Sequence, residues 1–428
     1  MSAELDLPRV PIVLGAGRSG LAAAAALLEA GREVMLVDDA PERAGEAPVP
    51  VVAPDVVDYE GCEAIIRSPG VPGGHPVLQA AHERGIPIWS EVELGYRLLP
   101  PGARVVGVTG TNGKTTTTEL VGAMLRAEGL PYRVCGNVGI ALCEVAPHLP
   151  EGAVVVCELS SFQLEDISSF HCDAAALINV TPDHLDRHGS LEKYARIKLR
   201  IFENQDESDT AVLDADDPFC ADLRRLPGDA AIVRVRGADA DAVDFARSRL
   251  RGDHNRENVA VAAALARAVG VSDGAIAEAV RGFEPVPNRL EDCGAAGGVR
   301  FWNDSKATNV DATLKALTAF PGDPVRLILG GSDKGADFTA LAAALAGRIE
   351  RAYLTGPAGA RMAAPLTAHG VDAVACAGFD DAVRRAVADS TAGDHVLLAP
   401  ACASFDEFAD YAARGARFRA LAAELGAG

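Results

Sequence analysis

One short stretch limits the folds open to this chain more than any other. The apolar run Ala103-Arg-Val-Val-Gly-Val108 leads straight into Thr109-Gly-Thr-Asn-Gly-Lys-Thr-Thr116. A strand that ends in glycines and turns at once into a helix aims backbone N–H groups and the positive end of the helix dipole at one place, which suits a phosphate. In Gly113-Lys114-Thr115 the lysine can reach β- and γ-phosphate oxygens and the threonine hydroxyl can ligate Mg²⁺. Strict Walker spacing would put glycine at 108, where this chain has Val108, so the loop is a variant that draws its freedom from Gly110. A second buried-type strand, Ala153-Val-Val-Val-Cys-Glu158, ends in a carboxylate, where P-loop proteins keep their Mg²⁺-binding acid. The polar run Leu159-Ser-Ser-Phe-Gln163 after it falls where α/β sheets bind ligands.

A second glycine turn, Gly15-Ala-Gly-Arg-Ser-Gly20, lies between the strand-like Val10–Leu14 and an alanine- and leucine-rich helix from about Leu21 to Ala30. The next strand, Glu33 to Val37, ends in Asp38, 18 residues after the last glycine. That is the Rossmann fingerprint. Alone it fits NAD, another nucleotide, or a turn that needs glycine only for packing. A third strand–helix series begins near Val299-Arg-Phe-Trp302 or Val325-Arg-Leu-Ile-Leu329. Strands alternating with helices predict parallel α/β sheets. Proline-bearing linkers at 98–102 and 284–288 divide the chain into three α/β domains, 1–97, 98–286 and 287–428.

Charge and cysteine usage exclude several classes. Lys plus Arg total 40 against 60 Asp plus Glu, a net charge of −20, which argues against a sequence-independent grip on nucleic acid. Local cations still allow small anionic ligands. No apolar run approaches the roughly 18 residues of a membrane span, and MSAELDLPRV does not read as a signal peptide. Nine scattered cysteines without a CxxC pair indicate neither a disulfide framework nor a zinc ribbon. The expectation is a cytoplasmic globular enzyme.

Asn179-Val-Thr-Pro-Asp-His-Leu-Asp-Arg-His188 gathers acids and histidines. His184 and His188 have zinc-like spacing, but Leu185 stands where an H-E-x-x-H protease needs its glutamate, and hard oxygen donors favour Mg²⁺. No G-x-S-x-G elbow is present. On residue type alone, Lys198 in Tyr194-Ala-Arg-Ile-Lys-Leu199 reads as a solvated helix lysine. Four further loops, Gly252–Asn258, Asn303–Asn309, Gly330–Gly335 and Pro400–Phe408, each look ordinary singly. Together they put polar groups at several strand ends.

The combination resembles the Mur ligase family, and within it the members that add glutamate. The resemblance rests on Thr109–Thr116, Ser68-Pro-Gly70, Glu158–Gln163, Asn179–His188, Asn303-Asp-Ser-Lys-Ala-Thr-Asn309 and Pro400-Ala-Cys-Ala-Ser404. It implies a Rossmann-like UDP-binding domain, a central P-loop ATPase domain and a C-terminal Rossmann-like domain for the amino acid. The implied reaction is ATP-dependent ligation of glutamate, D rather than L in most such members, to UDP-N-acetylmuramoyl-L-alanine through an acyl phosphate, by a monomer.

By the same resemblance, Ser19, Asp38, Asp39, Ser68, Asn137, Ser160, Gln163 and His184 would meet the UDP substrate. Thr111 to Thr117, Asn258, Arg289 and Asp304 would meet ATP. Lys306, Thr308, Lys334, Ser404, Phe405 and Tyr411 would surround glutamate. Lys114, Glu158, His184 and Lys198 would carry catalysis. Thr115, Glu158, His184 and a carbamylated Lys198 would hold two Mg²⁺. One departure is Pro287-Asn-Arg289, where the family commonly reads Pro-His-Arg. The alternatives are an L-glutamate-adding variant, another Mur or folylpolyglutamate-type ligase and, more remotely, an NAD-dependent oxidoreductase.

Overall fold

Short apolar runs rich in β-branched residues become the strands of three separate sheets in the computed structural model, which describes residues 7–43, 46–332 and 335–426. The first sheet holds β1 (Ile12–Leu14), β2 (Met35–Val37), β3 (Val51–Val52), β4 (Ile65–Arg67) and β5 (Ile88–Ser90) in the order β3-β2-β1-β4-β5. The second holds β6 (Arg104–Thr109), β7 (Tyr132–Gly136), β8 (Val154–Glu158), β9 (Ala174–Leu177), β10 (Thr210–Asp214) and β11 (Ala231–Val235), in the order β11-β10-β9-β6-β8-β7. Every pairing in both is parallel. Parallel strands end on the same edge, so the loops after β6, β8 and β9 converge. The register sets Val108 beside Glu158 and Thr109 beside Leu177, which fixes the glycine loop between the Glu158 strand end and the Asn179 loop.

Two compact units result. One runs to Ser248 and takes up Glu257–Gly282 again, and it contains both sheets above. A continuous core joins them: Leu27 and Leu36 of the first sheet's layer share it with Leu142, Val155 and Phe170 of the second. Leu98, at the start of the expected linker 98–102, is buried in this core with Leu99 packed against it, while Pro101 and Gly102 are exposed.

Polar locks add direction to this apolar joint. Arg67 at the end of β4 pairs with Asp166 at 2.8 Å and Glu165 at 3.0 Å. Glu93 accepts hydrogen bonds from the backbone N–H groups of Ser168, Ser169 and Phe170 and from the Ser169 hydroxyl, and it pairs with Arg97. Burial pushes the Glu93 carboxyl up, but these donors outweigh it and hold the group below the ordinary glutamate range.

The other unit contains Arg249–Arg256 and the chain from Phe283 onward. Its sheet comprises β12 (Glu291–Ala296), β13 (Val299–Asn303), β14 (Val325–Gly330), β15 (Arg351–Thr355), β16 (Ala373–Ala375) and β17 (His395–Leu398), ordered β12-β13-β17-β14-β15-β16. Only β12 is antiparallel, paired to β13 through the Gly297-Gly298 turn. Two apolar clusters, one around Leu327, Leu341 and Leu354 and one around Phe301, Tyr353 and Phe418, provide its core.

The expected three-sheet α/β architecture is present. The helix expected from about Leu21 starts earlier, at Arg18, and the strand expected from Glu33 starts later, at Met35. All nine cysteines are free thiols, and among the described residues no helix is long and apolar enough to cross a membrane.

Because the native state favours ionised Glu93, its stabilisation is present above the ordinary carboxylate range and is lost as pH falls through the lowered native value. Glu93→Gln is expected to cost about 2–4 kcal/mol at neutral pH. Thermal melts at pH 7 and pH 4 check this: a lowered midpoint at pH 7 that closes on the parent at pH 4 is expected, and equal midpoints at pH 7 would contradict it.

Candidate functional site

β6 ends at Thr109, and the helix Lys114–Glu128 begins four residues after Gly110. Gly113 sits at φ +87°, and a Cβ there would collide with Asn258 Oδ1, so both backbone angle and space demand glycine. The loop is braced from the side. Thr111 N–H donates to the Asn179 carbonyl (3.0 Å) and to its Oδ1 (3.1 Å), while Asn112 N–H donates to the same Oδ1 (2.8 Å). Asn179 Nδ2 returns a bond to the Asn112 carbonyl at 3.1 Å. Asn258 accepts from the Thr117 hydroxyl at 3.3 Å, which places one expected ATP contact behind the loop. Thr111, Thr115, Thr116 and Thr117 are all buried.

Lysine chemistry dominates the centre. Lys114 Nζ donates to the carbonyls of Gly110 (2.9 Å) and Thr111 (2.8 Å), and Lys198 Nζ donates to the same Gly110 carbonyl at 2.7 Å. Lys198 is 1% exposed and lies 4.6 Å from the Tyr194 ring centroid, so the solvated-lysine reading of its helix is corrected. The helix Leu191–Leu199 turns this face inward, burying Tyr194, Ala195 and Lys198. Burial holds the Lys198 ammonium well below the usual amine range and neighbouring Lys114 pushes the same way, against Asp183 and Glu158.

Glu158 ends β8 almost fully buried and accepts from Asn137 Nδ2 at 2.9 Å, while its carbonyl takes the Asn137 N–H at 2.8 Å. Glu119, on the loop's own helix, is raised by burial and then by the Glu158 charge. His184 adopts φ 51°, packs edge-on against Phe162 at 4.9 Å and has its Nε2 3.8 Å from Asp183 Oδ2. His188, the other half of the zinc-like pair, is instead buried against the Ser161 hydroxyl at 3.0 Å. Thr115, Glu158 and Asp183 offer the hard oxygen donors a Mg–nucleotide would use, and His184 adds one imidazole nitrogen. Among the described residues no group of three or more His, Cys, Asp or Glu stands ready as a metal cage. The Glu158 and Asp183 carboxylates fit Mg²⁺, which keeps waters and leans on one or two carboxylates plus substrate phosphates.

Beside this centre is a pocket of about 460 Å³ lined by the Gly15–Ser19 turn, Asp38, Asp39, Ser68–Pro72, Asn137 and Gln163. Gly20 allows its turn to close, since a Cβ there would strike the Gly15 carbonyl. Asp38 uses one oxygen on Ala16 N–H (2.7 Å) and the other on Ala40 N–H (2.9 Å), so it staples the turn besides facing the pocket. Asp39 accepts from His75 Nε2 at 3.0 Å; His75 Nδ1 already takes the Val77 N–H, which leaves Nε2 to carry the proton. Ser68 Oγ bonds the Gly15 carbonyl, and Ser160 with Gln163 form a capping box. Asn137 touches both pocket and Glu158, linking the two.

In the other unit, Asp304 follows β13, and burial pushes it up to about 7 against the charge of Arg289. Lys306 Nζ stands 3.7 Å over the Tyr411 ring. Thr308 follows in the same loop, Ser404 is buried, and Phe405 is exposed. Lys334 lies outside the described residues. Asn288 occupies the left-handed region (φ 63°), which asparagine tolerates. Its Oδ1 accepts from Asn303 (3.0 Å) and Arg419 (3.2 Å), and its carbonyl accepts from Lys306 N–H. The departure at 288 is thus a buried structural amide. Asn179, Asp183 and Glu119 were not singled out as site residues by sequence; for Asn179 and Asp183 the signal was their place in the Asn179–His188 block.

Two family models match the chain: the Mur ligase middle domain over residues 108–261 and the Mur ligase, glutamate ligase domain over 288–402. A UDP-N-acetylmuramoylalanine–D-glutamate ligase from Solibacter usitatus is 41% identical over 430 residues, covering 96% of both chains. Another, from Sphingopyxis alaskensis, is 42% identical over 431 residues and covers 97% of each. A pseudomurein peptide ligase type C from Methanothermus fervidus has a similar solved structure (TM-score 0.59, 17% identity, 91% of this chain and 96% of that one). A UDP-N-acetylmuramate–alanine ligase from Thermotoga maritima gives 0.57, 18%, 96% and 98%. At such identities the solved structures bear on the fold alone.

Asn179→Ala removes the side-chain brace of the glycine loop and is expected to weaken ATP binding about tenfold or more, at about 1 kcal/mol per hydrogen bond lost. Calorimetric titration with a non-hydrolysable ATP analogue checks this; an unchanged dissociation constant would contradict it.

Proposed function

The chain belongs to the Mur ligase family, and from that premise we infer that it joins D-glutamate to UDP-N-acetylmuramoyl-L-alanine with hydrolysis of ATP to ADP and phosphate, a step of peptidoglycan precursor synthesis. The observation that carries this is the 41–42% identity to ligases of that name over 96–97% of the chain. It is supported by the Lys114 loop and Glu158 meeting at adjacent strand ends. Nothing favours the oxidoreductase reading of the first glycine turn: its full-length relatives are ligases.

We assign the 1–97 region and its pocket to the UDP substrate, 98–286 to ATP and 287–428 to glutamate. Ser19, Asp38, Asp39, Ser68, Asn137, Ser160, Gln163 and His184 would position the UDP substrate, with Asn137 reaching from pocket to Glu158. Thr111 to Thr117 with Asn258, Arg289 and Asp304 would bind ATP. Lys306, Thr308, Lys334, Ser404, Phe405 and Tyr411 would receive glutamate. UDP and ATP are cytoplasmic nucleotides, so we place the enzyme in the cytoplasm, acting as a monomer.

The alanyl carboxylate attacks the γ-phosphorus, ADP leaves, and an acyl phosphate forms. The glutamate amine then attacks the acyl carbon, loses a proton, and the tetrahedral adduct expels phosphate. Phosphoryl transfer asks for positioning and charge neutralisation more than covalent help, so the Lys114 ammonium beside the loop N–H groups is an adequate tool. Two Mg²⁺ ions, held by Thr115, Glu158, His184 and Lys198, would supply further charge neutralisation at the phosphate oxygens. Lys198 would join that set as a carbamate. Its uncharged amine adds to CO₂ and releases a proton, giving a carbamate in place of a buried cation.

Purified protein is expected to release phosphate only with ATP, Mg²⁺, UDP-N-acetylmuramoyl-L-alanine and D-glutamate all present, and far less with L-glutamate. Release that is independent of glutamate would sink the reading; a preference for L-glutamate would overturn its stereochemistry. Lys114→Ala should abolish turnover, by about 10³-fold or more, with an unchanged circular dichroism spectrum.

A further inference from the structure

The first turn of the helix Tyr411–Glu424 carries a cation that none of the assignments above uses. Arg414 is 2% exposed, and all three guanidinium nitrogens are engaged. Nε donates to Ser305 Oγ (3.0 Å), Nη2 to the carbonyls of Ser305 (2.9 Å) and Cys402 (3.0 Å), and Nη1 to that of Ala403 (3.2 Å). Every acceptor is neutral. Among the described residues no carboxylate lies within ion-pairing distance; Asp406 acts only from farther off. Burial lowers the guanidinium to about 10, so it remains charged at neutral pH.

A buried charge without a contacting counterion is costly unless hydrogen bonds satisfy it, and its field is then only partly offset, here by the more distant Asp406. The bonds of Arg414 also have a geometric result. Ser305 belongs to the loop that carries Lys306 and Thr308, and its hydroxyl donates to the Tyr411 carbonyl at 2.8 Å. Cys402 and Ala403 belong to the loop that carries Ser404. The Ala403 carbonyl also accepts the Ser332 N–H at 2.9 Å, which brings in the loop after β14. One planar, rigid fork therefore ties the Ser305 loop to the Cys402–Ala403 loop, and Ala403 carries the connection on to Ser332.

We propose that Arg414 is a positioning residue for the incoming amino acid: it locks the 303–306 and 400–404 loops into one wall and lends that wall a positive field suited to a dicarboxylate. This rests on the reading that these loops receive glutamate. It assigns Arg414 to the second half of the reaction only, the attack on the acyl phosphate, and not to its formation.

The test uses the full chain as Arg414→Lys and Arg414→Gln. Initial rates would be measured against each substrate, and the acyl phosphate formed without glutamate would be trapped as a hydroxamate. Arg414→Gln is expected to raise the KM for glutamate at least tenfold, leaving the KM values for ATP and UDP-N-acetylmuramoyl-L-alanine within about twofold and the trapped hydroxamate unchanged. Arg414→Lys, which keeps the charge but not the fork, should fall between. If the Gln variant does not fold, the same split in the Lys variant decides. Equal changes in all three KM values, loss of hydroxamate, or an unaltered glutamate KM would overturn the proposal. Absence of glutamate-dependent turnover in the parent protein would instead overturn the functional reading beneath it.

Discussion

Two amines meet at one carbonyl, and the centre of this protein is arranged around that meeting. Lys114 and Lys198 both donate to the oxygen of Gly110, at 2.9 and 2.7 Å. Like charges so close repel, and burial sharpens the repulsion because little water screens it. Burial first, and the Lys114 charge second, disfavour the Lys198 ammonium. Everything nearby answers that constraint: Glu158 and Asp183 supply opposing charge, Tyr194 lends its ring, and Asn179 fixes the loop whose carbonyls the lysines share. A lysine tucked in this position is poorly explained as structural filler.

From that centre the polar connections run outward along one unit. Asn137 ties Glu158 to the pocket beside the Gly15–Gly20 turn. Arg187 donates to the Pro69 carbonyl on the pocket wall, pairs with Glu165 and lies over Phe162, which in turn packs on His184. Arg67 and Glu93 fasten the same two sheets over a shared apolar core. The pocket and the phosphate loop are thus held on a common rigid base, which suits a reaction that depends on placing a carboxylate in line with a γ-phosphate.

The parts of this arrangement legible in the sequence are those set by local chain geometry. A strand, a glycine turn and a helix lie within a few residues of one another, so the Gly113 loop, the Gly15–Gly20 turn and the strand-end Glu158 could be read directly. The parts that were not legible are set by tertiary contact. Asn179 braces a loop 67 residues away, and Arg414 reaches a serine 109 residues away. Neither residue type announces this. Lys198 looked solvated because a short helix shows only its own periodicity, not which face the fold covers. Asp38 could be placed at the glycine turn, but not its use of both oxygens on backbone N–H groups. The acidity of the whole chain described its solvated surface and said nothing of the buried cations that anionic substrates require.

An acyl phosphate is the intermediate on which this ligation turns. The direct measurement is turnover of UDP-N-acetylmuramoyl-L-alanine labelled with ¹⁸O in both carboxylate oxygens, followed by mass analysis of the released phosphate. Attack of that carboxylate on the γ-phosphorus carries one labelled oxygen into each phosphate. Phosphate bearing one ¹⁸O, with one remaining in the new amide, is the predicted result; unlabelled phosphate would contradict it.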